Sequence, residues 1–485
     1  MCWRMAGFSA PAARNWRWSW KKMATPNSMR RWPDMGNSTS NTLAFVDDFD
    51  ATRPGLPGAD LSWLKDIREA GIERFSDLGL PTPKLEDWKY TRLRPLEDTV
   101  YQPITEEDGM AVIDHVPSLL PDPGGRPRLV FVNGRMRPSF WIVGDLPDGV
   151  HLEYLRDVLM HTPEWAEAHI GRLHGDAEGQ SLVALNTAMM DSGFVLRVDA
   201  GVKVEQPLEV VFIGGLTDHP VAYFPRNLIV LGEGAEATVV KHYVGMGVGA
   251  YFANTVTEID IGEGARLNHY KVQAETLDAT HLSTTHVHVA KDATYEYFNL
   301  SIGGRLSRNE VSVRLEGEGA HAGLNGAYLM RGSEHCDNTT MIEHLAPHTT
   351  CREIFKGVLD DQSRAVFQGR IIVRKEAQGT DGHQLCKTLL LSTGAEIDVK
   401  PELEIYADDV KCSHGATTGQ IDETALFYLR SRGIPEALAR NLLVQSFLGE
   451  ALDEISNEEV RLAFTDKVLH WLPAACFLSE EWRDV

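Results

Sequence analysis

The residues best suited to bind a metal ion lie near the end of the chain, in the tripeptide Cys412-Ser413-His414. On a β-strand, side chains alternate between the two faces, so Cys412 and His414 would share one face and Ser413 would point to the other. A thiolate and an imidazole are both good ligands for iron or zinc, but together they supply half of a four-ligand shell. The spacing fits an incomplete site that would share its metal with another chain. On spacing alone, a satisfied pair in the core is favoured over such a site.

Two other groups of possible ligands are weaker candidates. His286 and His288 would share one face of a strand, as an ordinary pair of surface or groove histidines also would. The run Glu334-His335-Cys336-Asp337 is rich in ligand atoms, but neighbouring side chains point to opposite faces and cannot all converge. We interpret this run as a polar turn.

Sequence motifs of the common enzyme classes are absent. The sequence has no Gly-Lys pair, which excludes a Walker A nucleotide loop. It also has no His-Glu-x-x-His, Cys-x-x-Cys or Gly-x-Ser-x-Gly pattern. This favours a scaffold or binding protein that has no catalytic activity of its own.

Composition narrows the class of partner. The 485 residues carry a formal net charge of −22, which disfavours binding to nucleic acid or to an anionic membrane surface. No apolar run reaches the roughly 18 residues that a membrane-spanning helix needs. The six scattered cysteines do not form a disulfide framework and fit a reducing compartment, so a cytoplasmic location is expected. Residues 1–33 are basic and lack acids, so an organelle transit peptide, and with it a stroma or matrix location, is the alternative to an extension from an upstream start.

The pattern of apolar residues and turn residues divides the chain into four predicted segments. Residues 1–45 are expected to be a disordered extension, and residues 46–190 an N-terminal α+β and helical domain. In that domain we expect a helix that begins at Leu61 and ends before Gly71. A strand at residues 128–132 is followed by Asn133-Gly134, which is typical of a hairpin turn. Residues 191–420 form the core, and residues 421–485 form a C-terminal helical domain.

A repeat defines the core. The tetrapeptide Gly-Glu-Gly-Ala begins at Gly232, Gly262 and Gly317, and related turns recur at intervals of about 28 residues. Such a period, filled with short Val-, Ile-, Tyr- and Thr-rich strands, predicts a mainly β fold, a right-handed parallel β-helix flanked by the two other domains. A two-sheet β-sandwich of long meanders is the alternative. After the core, three helices are predicted: Asp422 can cap the first, Pro435 can begin the second, and Ser456 begins a capping box for the third.

The end of the predicted β-helix resembles a known family. The segment Glu404-Ile-Tyr-Ala-Asp-Asp-Val-Lys-Cys-Ser-His-Gly-Ala-Thr-Thr-Gly-Gln420, with residues 426–434 after it, resembles the SufB/SufD family of the SUF iron–sulfur cluster assembly system, in its SufD branch. The N-terminal motif Pro81-x-Pro-x-x-Glu-Asp-Trp-Lys-Tyr-Thr91 belongs to the same pattern. The likeness covers roughly residues 50–470, and it implies the same parallel β-helix between helical parts.

The resemblance implies a non-catalytic scaffold subunit that pairs with SufB, holds the SufC ATPase and takes part in iron entry. The histidine that matches His414 is implicated at the interface with SufB, so the resemblance implies a transient cluster or iron shared with SufB. His414 is favoured as a ligand over Cys412. No tightly bound cofactor is expected in the isolated chain, whereas the full complex could bind reduced flavin and the chain alone could form a homodimer. One alternative is a purely structural subunit that binds no metal. A polysaccharide-active β-helix enzyme is disfavoured by the unpaired cysteines and the missing signal peptide.

Two partner surfaces are expected from the resemblance and from the last strands. The strands around residues 402–410, with Ile405 and Val410, are expected to pair with SufB. Residues 422–455 are expected to dock SufC, and the side chains assigned to this surface are Leu426, Phe427, Tyr428, Arg432, Leu438, Leu442 and Phe447. Cys386 precedes Cys412 by nearly one repeat, so the two cysteines are expected to stack on neighbouring strands, with Cys386 as a small buried residue.

Overall fold

The computed structural model describes residues 38–105, 108, 116–117, 120, 125–173 and 180–473. Two long, mostly parallel β-sheets face each other over much of this length, with helices at both chain ends. The α-helices are α1 Ser38–Thr52, α2 Ser62–Leu78, α3 Arg94–Asp98, α4 Leu155–His161, α5 Pro163–His169, α6 Ser181–Met189, α7 Glu423–Ser431, α8 Glu436–Leu452 and α9 Glu458–Trp471. The strands are β1 Gln102–Pro103, β2 Arg128–Val132, β3 Arg135–Met136, β4 Val150–Tyr154, β5 Phe194–Val198, β6 Leu208–Gly215, β7 Val221–Tyr223, β8 Arg226–Leu231, β9 Glu236–Met246, β10 Tyr251–Ile261, β11 Arg266–Glu275, β12 Ala279–Val289, β13 Thr294–Gly303, β14 Leu306–Leu315, β15 His321–Met330, β16 His335–His344, β17 Thr350–Leu359, β18 Arg364–Val373, β19 Thr380–Leu390, β20 Glu396–Ile405 and β21 Val410–Gly419.

The repeat corresponds to one turn of a parallel β-helix, as predicted. Each turn adds one strand to sheet A, whose spatial order is β20-β18-β16-β14-β12-β10-β8-β5-β4, and one to sheet B, ordered β21-β19-β17-β15-β13-β11-β9-β6-β2-β3. Strands of successive turns pair in parallel, which excludes the meandering β-sandwich. Gly234 and Gly264, the second glycines of two repeated tetrapeptides, have φ values of 65° and 64°. That left-handed conformation is one that glycine adopts without strain, which explains the repeated residue.

The core lies between the sheets. Inward side chains of successive turns stack on one another, for example Leu267, Tyr295 and Ala322 from sheet B and Val287 and Val313 from sheet A. Because each turn buries its apolar face against the next, the solenoid depends on its neighbours for stability. Strands β20 and β21 are the last in their sheets, and no strand among the described residues pairs with their outer edges.

Two predictions about the N-terminal region are wrong. Helix α1 begins at Ser38, so the predicted disordered extension to residue 45 is too long, while residues 1–37 lie outside the described residues. The Asn41 amide anchors this helix by donating to the carbonyl oxygens of Leu96 (2.5 Å) and Glu97 (3.0 Å). Helix α2 continues through Gly71, where we expected it to end. A Cβ at this position would lie 2.9 Å from the Ala184 carbonyl, so the glycine permits close packing of α6 instead of ending the helix.

Other local predictions are confirmed or refined. Asn133 and Gly134 have φ values of 45° and 75° and connect the antiparallel hairpin β2–β3. Asp422 caps α7 by accepting from the amides of Thr424 and Ala425, as predicted. The cap of α9 is Asn457, one residue later than expected, because the Ser456 hydroxyl bonds to Tyr270 instead (2.9 Å). Among the described helices, none has the length and apolar character needed to cross a membrane.

The C-terminal helices cover the outer face of sheet B. Helix α8 buries Val444 and Leu448 against a cluster that includes Val358 and Leu329 of the sheet. Lys356, almost fully buried on β17, donates to the Phe447 carbonyl at 2.9 Å and forms an ion pair with Glu450. This anchor fixes the helix beside the last turns of the solenoid.

Candidate functional site

The predicted ligand pair lies at the open end of the solenoid. Cys412 and His414 occupy alternate positions on β21, the last strand of sheet B, and therefore share a face, as predicted. That face points into the solenoid, because Cys412 packs against the inner core cluster. Cys412 is half-buried and His414 is exposed. No strand follows β21 in its sheet among the described residues, so His414 is accessible from the end of the solenoid.

Ser413 points away from this pair. It lies in register with His383, whose Nδ1 is 2.7 Å from the Ser413 hydroxyl, and the Nε2 of His383 lies 2.9 Å from an Asp381 carboxylate oxygen. These side chains are exposed on the outer face of sheet B. The expected separation of Ser413 from the ligand pair is confirmed.

Cys386 does not stack on Cys412, and that expectation is wrong. Strand β21 pairs with β19 at an offset of 30 residues, not 26, so Cys386 lies opposite Ala416. Its interpretation as a small buried residue is correct, because it is 1% exposed and packs near Tyr328. Burial raises the pKa of this thiol to about 12, which keeps it neutral in the core.

The register places a different thiol near Cys412. Gly382 of β19 lies opposite both Cys412 of β21 and Cys351 of β17. A Cβ at Gly382 would lie 3.2 Å from the Cys351 sulfur, 3.7 Å from the Cys412 sulfur and 3.8 Å from Nε2 of His344. Desolvation raises the pKa of both thiols, well above the ordinary value for the buried Cys351. Sequence reasoning missed Cys351 and His344, although Cys351, Gly382 and Cys412 recur at the spacing of the repeat.

Behind His414 lies a buried polar column. His414 is in register with Gln384, which is in turn in register with Glu353, and the Gln384 amide donates to the Glu353 carboxylate. Burial raises the pKa of Glu353 to about 7, while the hydrogen bond from Gln384 acts in the opposite direction. The row of side chains behind His414 is therefore polar and hydrogen-bonded.

The two weaker candidates do not form metal sites. His286 is buried, whereas His288 lies between Asp260 (2.6 Å) and Glu316 (3.3 Å), so the interpretation as groove and surface histidines is confirmed. The run at residues 334–337 is not a polar turn throughout, because β16 begins at His335. Its side chains diverge as expected.

In that run, the Thr91 hydroxyl contacts both the imidazole of His335 and the carboxylate of Asp337. Cys336 instead lies within 3.5 Å of the Asn338 amide on the inner face. Among the described residues, no three His, Cys, Asp or Glu side chains are already arranged to hold a metal ion.

The predicted partner surface is largely accessible. Phe427 and Tyr428 are 71% and 57% exposed, which is unusual for large aromatic side chains. The Arg432 guanidinium donates to the Tyr428 hydroxyl (3.1 Å) and lies over its ring. Leu426 is 2% exposed and belongs to the core, so we remove it from this surface.

The other predicted surface residues lie at the same end of the molecule, with differing exposure. Ile405 and Leu442 are exposed, whereas Val410, Leu438 and Phe447 are half-buried. Val410 contacts the inner core cluster and Phe447 the cluster beneath α8.

Comparisons with known proteins agree with this architecture. Residues 39–210 match the family model described as SufBD protein N-terminal region, and residues 213–447 match that described as SUF system FeS cluster assembly, SufBD core domain. The chain is 33% identical over 406 residues to the iron–sulfur cluster assembly protein SufD of Escherichia coli, covering 83% of this chain and 92% of that protein. It is 31% identical over 411 residues to an iron–sulfur cluster assembly SufBD family protein of Synechocystis, covering 82% and 89%. The corresponding identity to SufD of Bacillus subtilis is 26%, covering 82% and 92%.

Proposed function

The chain belongs to the SufBD family of iron–sulfur cluster assembly proteins, and from this premise we propose that it is a non-catalytic scaffold subunit on which a nascent cluster is built. The observation that carries this proposal is the position of His414. Its imidazole is exposed on the inner face of the last strand, beside sheet edges to which no described strand is paired. A ligand in that position can be shared with a second chain.

Pairing with SufB through β20 and β21 is the first part of the proposal. Unpaired strand edges attract further strands, so a protein that leaves two of them at one end needs a partner or a cover there. Directly after β20, the Tyr406 amide donates to the Val373 carbonyl of β18 (2.9 Å). Because successive residues of a parallel strand alternate between the strands on either side, the amide of Ile405 faces the outer edge of β20, with which no described strand pairs. Edge donors of this kind would extend both sheets into the partner.

Docking of SufC on the C-terminal helices is the second part. Phe427 and Tyr428 form an exposed aromatic pair on α7, and aromatic side chains are enriched at the centres of protein interfaces. The sequence has no Walker A motif, so we assign nucleotide hydrolysis to SufC and none to this chain. The helices are joined to sheet B through Lys356, which gives SufC a mechanical connection to the last turns.

A transient cluster held jointly by His414 and SufB is the third part. Iron–sulfur centres accept histidine in place of cysteine, and one ligand from this chain binds a cluster weakly enough for its release. Cys412 lines the same face and contributes less to a shared cluster, because it is half-buried whereas His414 is exposed. We also propose that iron enters at this end of the solenoid, because the imidazole of His414 is accessible there.

The test is reconstitution of the whole complex. The chain is co-expressed with SufB and SufC, purified without oxygen, and supplied with Fe²⁺ and sulfide while cluster absorbance is followed. We expect the complex with His414→Ala to assemble normally and to form no stable cluster. A variant complex that loosens but still builds clusters would instead support a purely structural subunit.

A further inference from the structure

Three strands bring two thiols and an imidazole to one point inside the last turns. Cys351, Gly382 and Cys412 form a row across β17, β19 and β21, all on the inward face. The middle position has no side chain, so it leaves space between the two sulfur atoms. The two thiols and Nε2 of His344 lie 3.2–3.8 Å from the position that a Cβ of residue 382 would occupy.

The two cysteines cannot form a disulfide across this row. They lie two strands apart, about 9.6 Å between Cα atoms at the usual strand spacing. A disulfide needs Cα atoms within roughly 7 Å. Both thiols are free in the structure. The two sulfur atoms can therefore be linked only through an atom that binds both of them.

His344 is already oriented as a ligand. Its Nδ1 lies 2.7 Å from the Thr349 hydroxyl, which donates its own hydrogen to the Ala346 carbonyl. The hydroxyl therefore accepts from Nδ1, so the proton of the neutral imidazole is on Nδ1 and the lone pair is on Nε2. That lone pair faces the Cys351 sulfur at 3.2 Å. Metal-binding histidines are commonly fixed in this way by a hydrogen bond to the other ring nitrogen.

We propose that Cys351, Cys412 and His344 form an intrachain binding site for a thiophilic divalent metal ion in the space over Gly382. Two sulfur ligands and one imidazole suit Fe²⁺, Zn²⁺ or Co²⁺, and bond lengths of about 2.3 Å to sulfur and 2.0–2.1 Å to nitrogen require the groups to close around the ion. Cys351 and His344 are already in contact. Cys412 must move inward, which its half-exposed position on the last strand allows.

This site is distinct from the shared position of His414. It uses side chains of one chain, and a fourth coordination position remains for water or sulfide. That the physiological ion is iron rests on the proposed function, whereas the capacity to bind a thiophilic ion does not. The two sites lie on adjacent inward rows of β21, so an ion held by Cys412 would be one row from His414.

The experiment uses Co²⁺ as the probe, added to the purified full chain without oxygen. Cobalt bound to thiolates in a tetrahedral site gives sulfur-to-metal charge-transfer bands and intense visible absorption. We expect one such ion per chain. Cys351→Ser and Cys412→Ser should each weaken binding more than about 100-fold, beyond the 10–100-fold typical of losing an indirect contact.

Gly382→Ala is the most specific variant, because it keeps every ligand and fills the space between them with a methyl group 3.2 Å from the Cys351 sulfur. It should abolish the charge-transfer bands. Gly419→Ala is its matched control on β21, since a Cβ there has no atom within 4 Å. His414→Ala should retain Co²⁺ binding, which separates this test from that of the proposed function.

Each outcome bears on the proposal. Circular dichroism and thermal unfolding establish whether the variants fold. If Cys351→Ser misfolds, Co²⁺ binding by Cys412→Ser and Gly382→Ala tests the proposal. The proposal is overturned if the wild-type chain shows no thiolate-to-cobalt bands. It is equally overturned if folded Gly382→Ala and Cys412→Ser bind Co²⁺ as the wild type does.

Discussion

Cys412 on the last strand lies in register with Gly382, so its thiol faces an inward position that carries no side chain. The glycine separates Cys412 from Cys351 while leaving both sulfur atoms near one space. The two sulfur atoms and the exposed imidazole of His414, one row away, therefore lie together at the open end of the solenoid. At the same end, no strand of the described part of the chain pairs with the outer edges of β20 and β21.

The aromatic pair on α7 gives a first prediction. Replacing Phe427 and Tyr428 together with serine should abolish copurification of SufC, because it removes the large exposed apolar surface of this helix. Pull-down of SufC by the tagged chain measures the effect. Deleting residues 422–485 would be a less clear test, since it also uncovers the apolar outer face of sheet B.

Leu462→Ser is the control for that double variant. Leu462 is 60% exposed on α9, so its change removes similar apolar surface outside the proposed docking region. SufC binding should be unaffected. Retention of SufC by the folded double variant would refute the docking surface.

The edges of the last strands give a second prediction. Ile405→Pro combined with Val410→Pro should weaken the heterodimer with SufB, because proline removes amide donors from the ends of β20 and β21. Analytical ultracentrifugation of the two purified chains measures the affinity. The control pair Ile405→Thr and Val410→Thr keeps both amides and should bind nearly as the wild type does. Equal affinity of the folded proline variant would contradict pairing through these edges.

A third prediction concerns the attachment of α8. Lys356→Met should destabilise the docked helix by about 1–3 kcal/mol, because it removes a buried hydrogen bond and ion pair. Hydrogen exchange of residues 436–452 should become faster. Glu450→Gln should have a smaller effect because the Glu450 side chain is 68% exposed. Unchanged exchange in Lys356→Met would show that the apolar contacts alone hold the helix.

A buried lysine inside the solenoid gives a fourth prediction. Burial lowers the pKa of Lys271 to about 7, although nearby Glu275 acts in the opposite direction. Because the folded pKa is depressed, the wild-type protein should gain stability as pH rises from about 7 towards the unfolded value of 10.5. Below pH 7 the charged form carries its full penalty, on the order of 5 kcal/mol.

Lys271→Met should therefore stabilise the protein most at pH 7 and below, and its advantage should shrink by roughly 2–3 kcal/mol between pH 7 and pH 9. Lys271 donates to Oδ1 of Asn309 (3.1 Å), and that oxygen also accepts from the Tyr297 hydroxyl (3.0 Å), so the substitution leaves it with a hydrogen bond. Urea unfolding midpoints at the two pH values measure the difference. An advantage that grows with pH would contradict the assigned direction of the shift.

The sequence predicted the fold well because its repeat is regular. The three Gly-Glu-Gly-Ala turns and the related turns between and beside them mark the ends of successive coils, and left-handed glycines such as Gly264 give that pattern a physical cause. The alternation of side chains along a strand was also sufficient to place Cys412 and His414 on one face. Both inferences depend on local geometry that any parallel solenoid shares.

The register between turns was harder to predict. The coils differ in length by a few residues. As a result, Cys386 lies opposite Ala416 on the next strand and not, as expected, opposite Cys412. Gly71 was mistaken for a helix end because the sequence alone does not reveal the close approach of Ala184. Likewise, Leu426 was assigned to a surface that its burial excludes. These errors share one origin, since each depends on contacts between segments that are distant in the chain.

The central claim, that His414 supplies a ligand to a nascent cluster, is tested most directly by maturation in cells. The chain with His414→Ala replaces the wild type in a strain that depends on it, and the activity of an iron–sulfur enzyme is measured beside the amount of SufB–SufC complex recovered. Ser413→Ala is the matched control, because Ser413 neighbours His414 but faces outward. We predict normal recovery of the complex in both strains, with maturation lost in His414→Ala and kept in Ser413→Ala. Wild-type maturation in His414→Ala would contradict the ligand role.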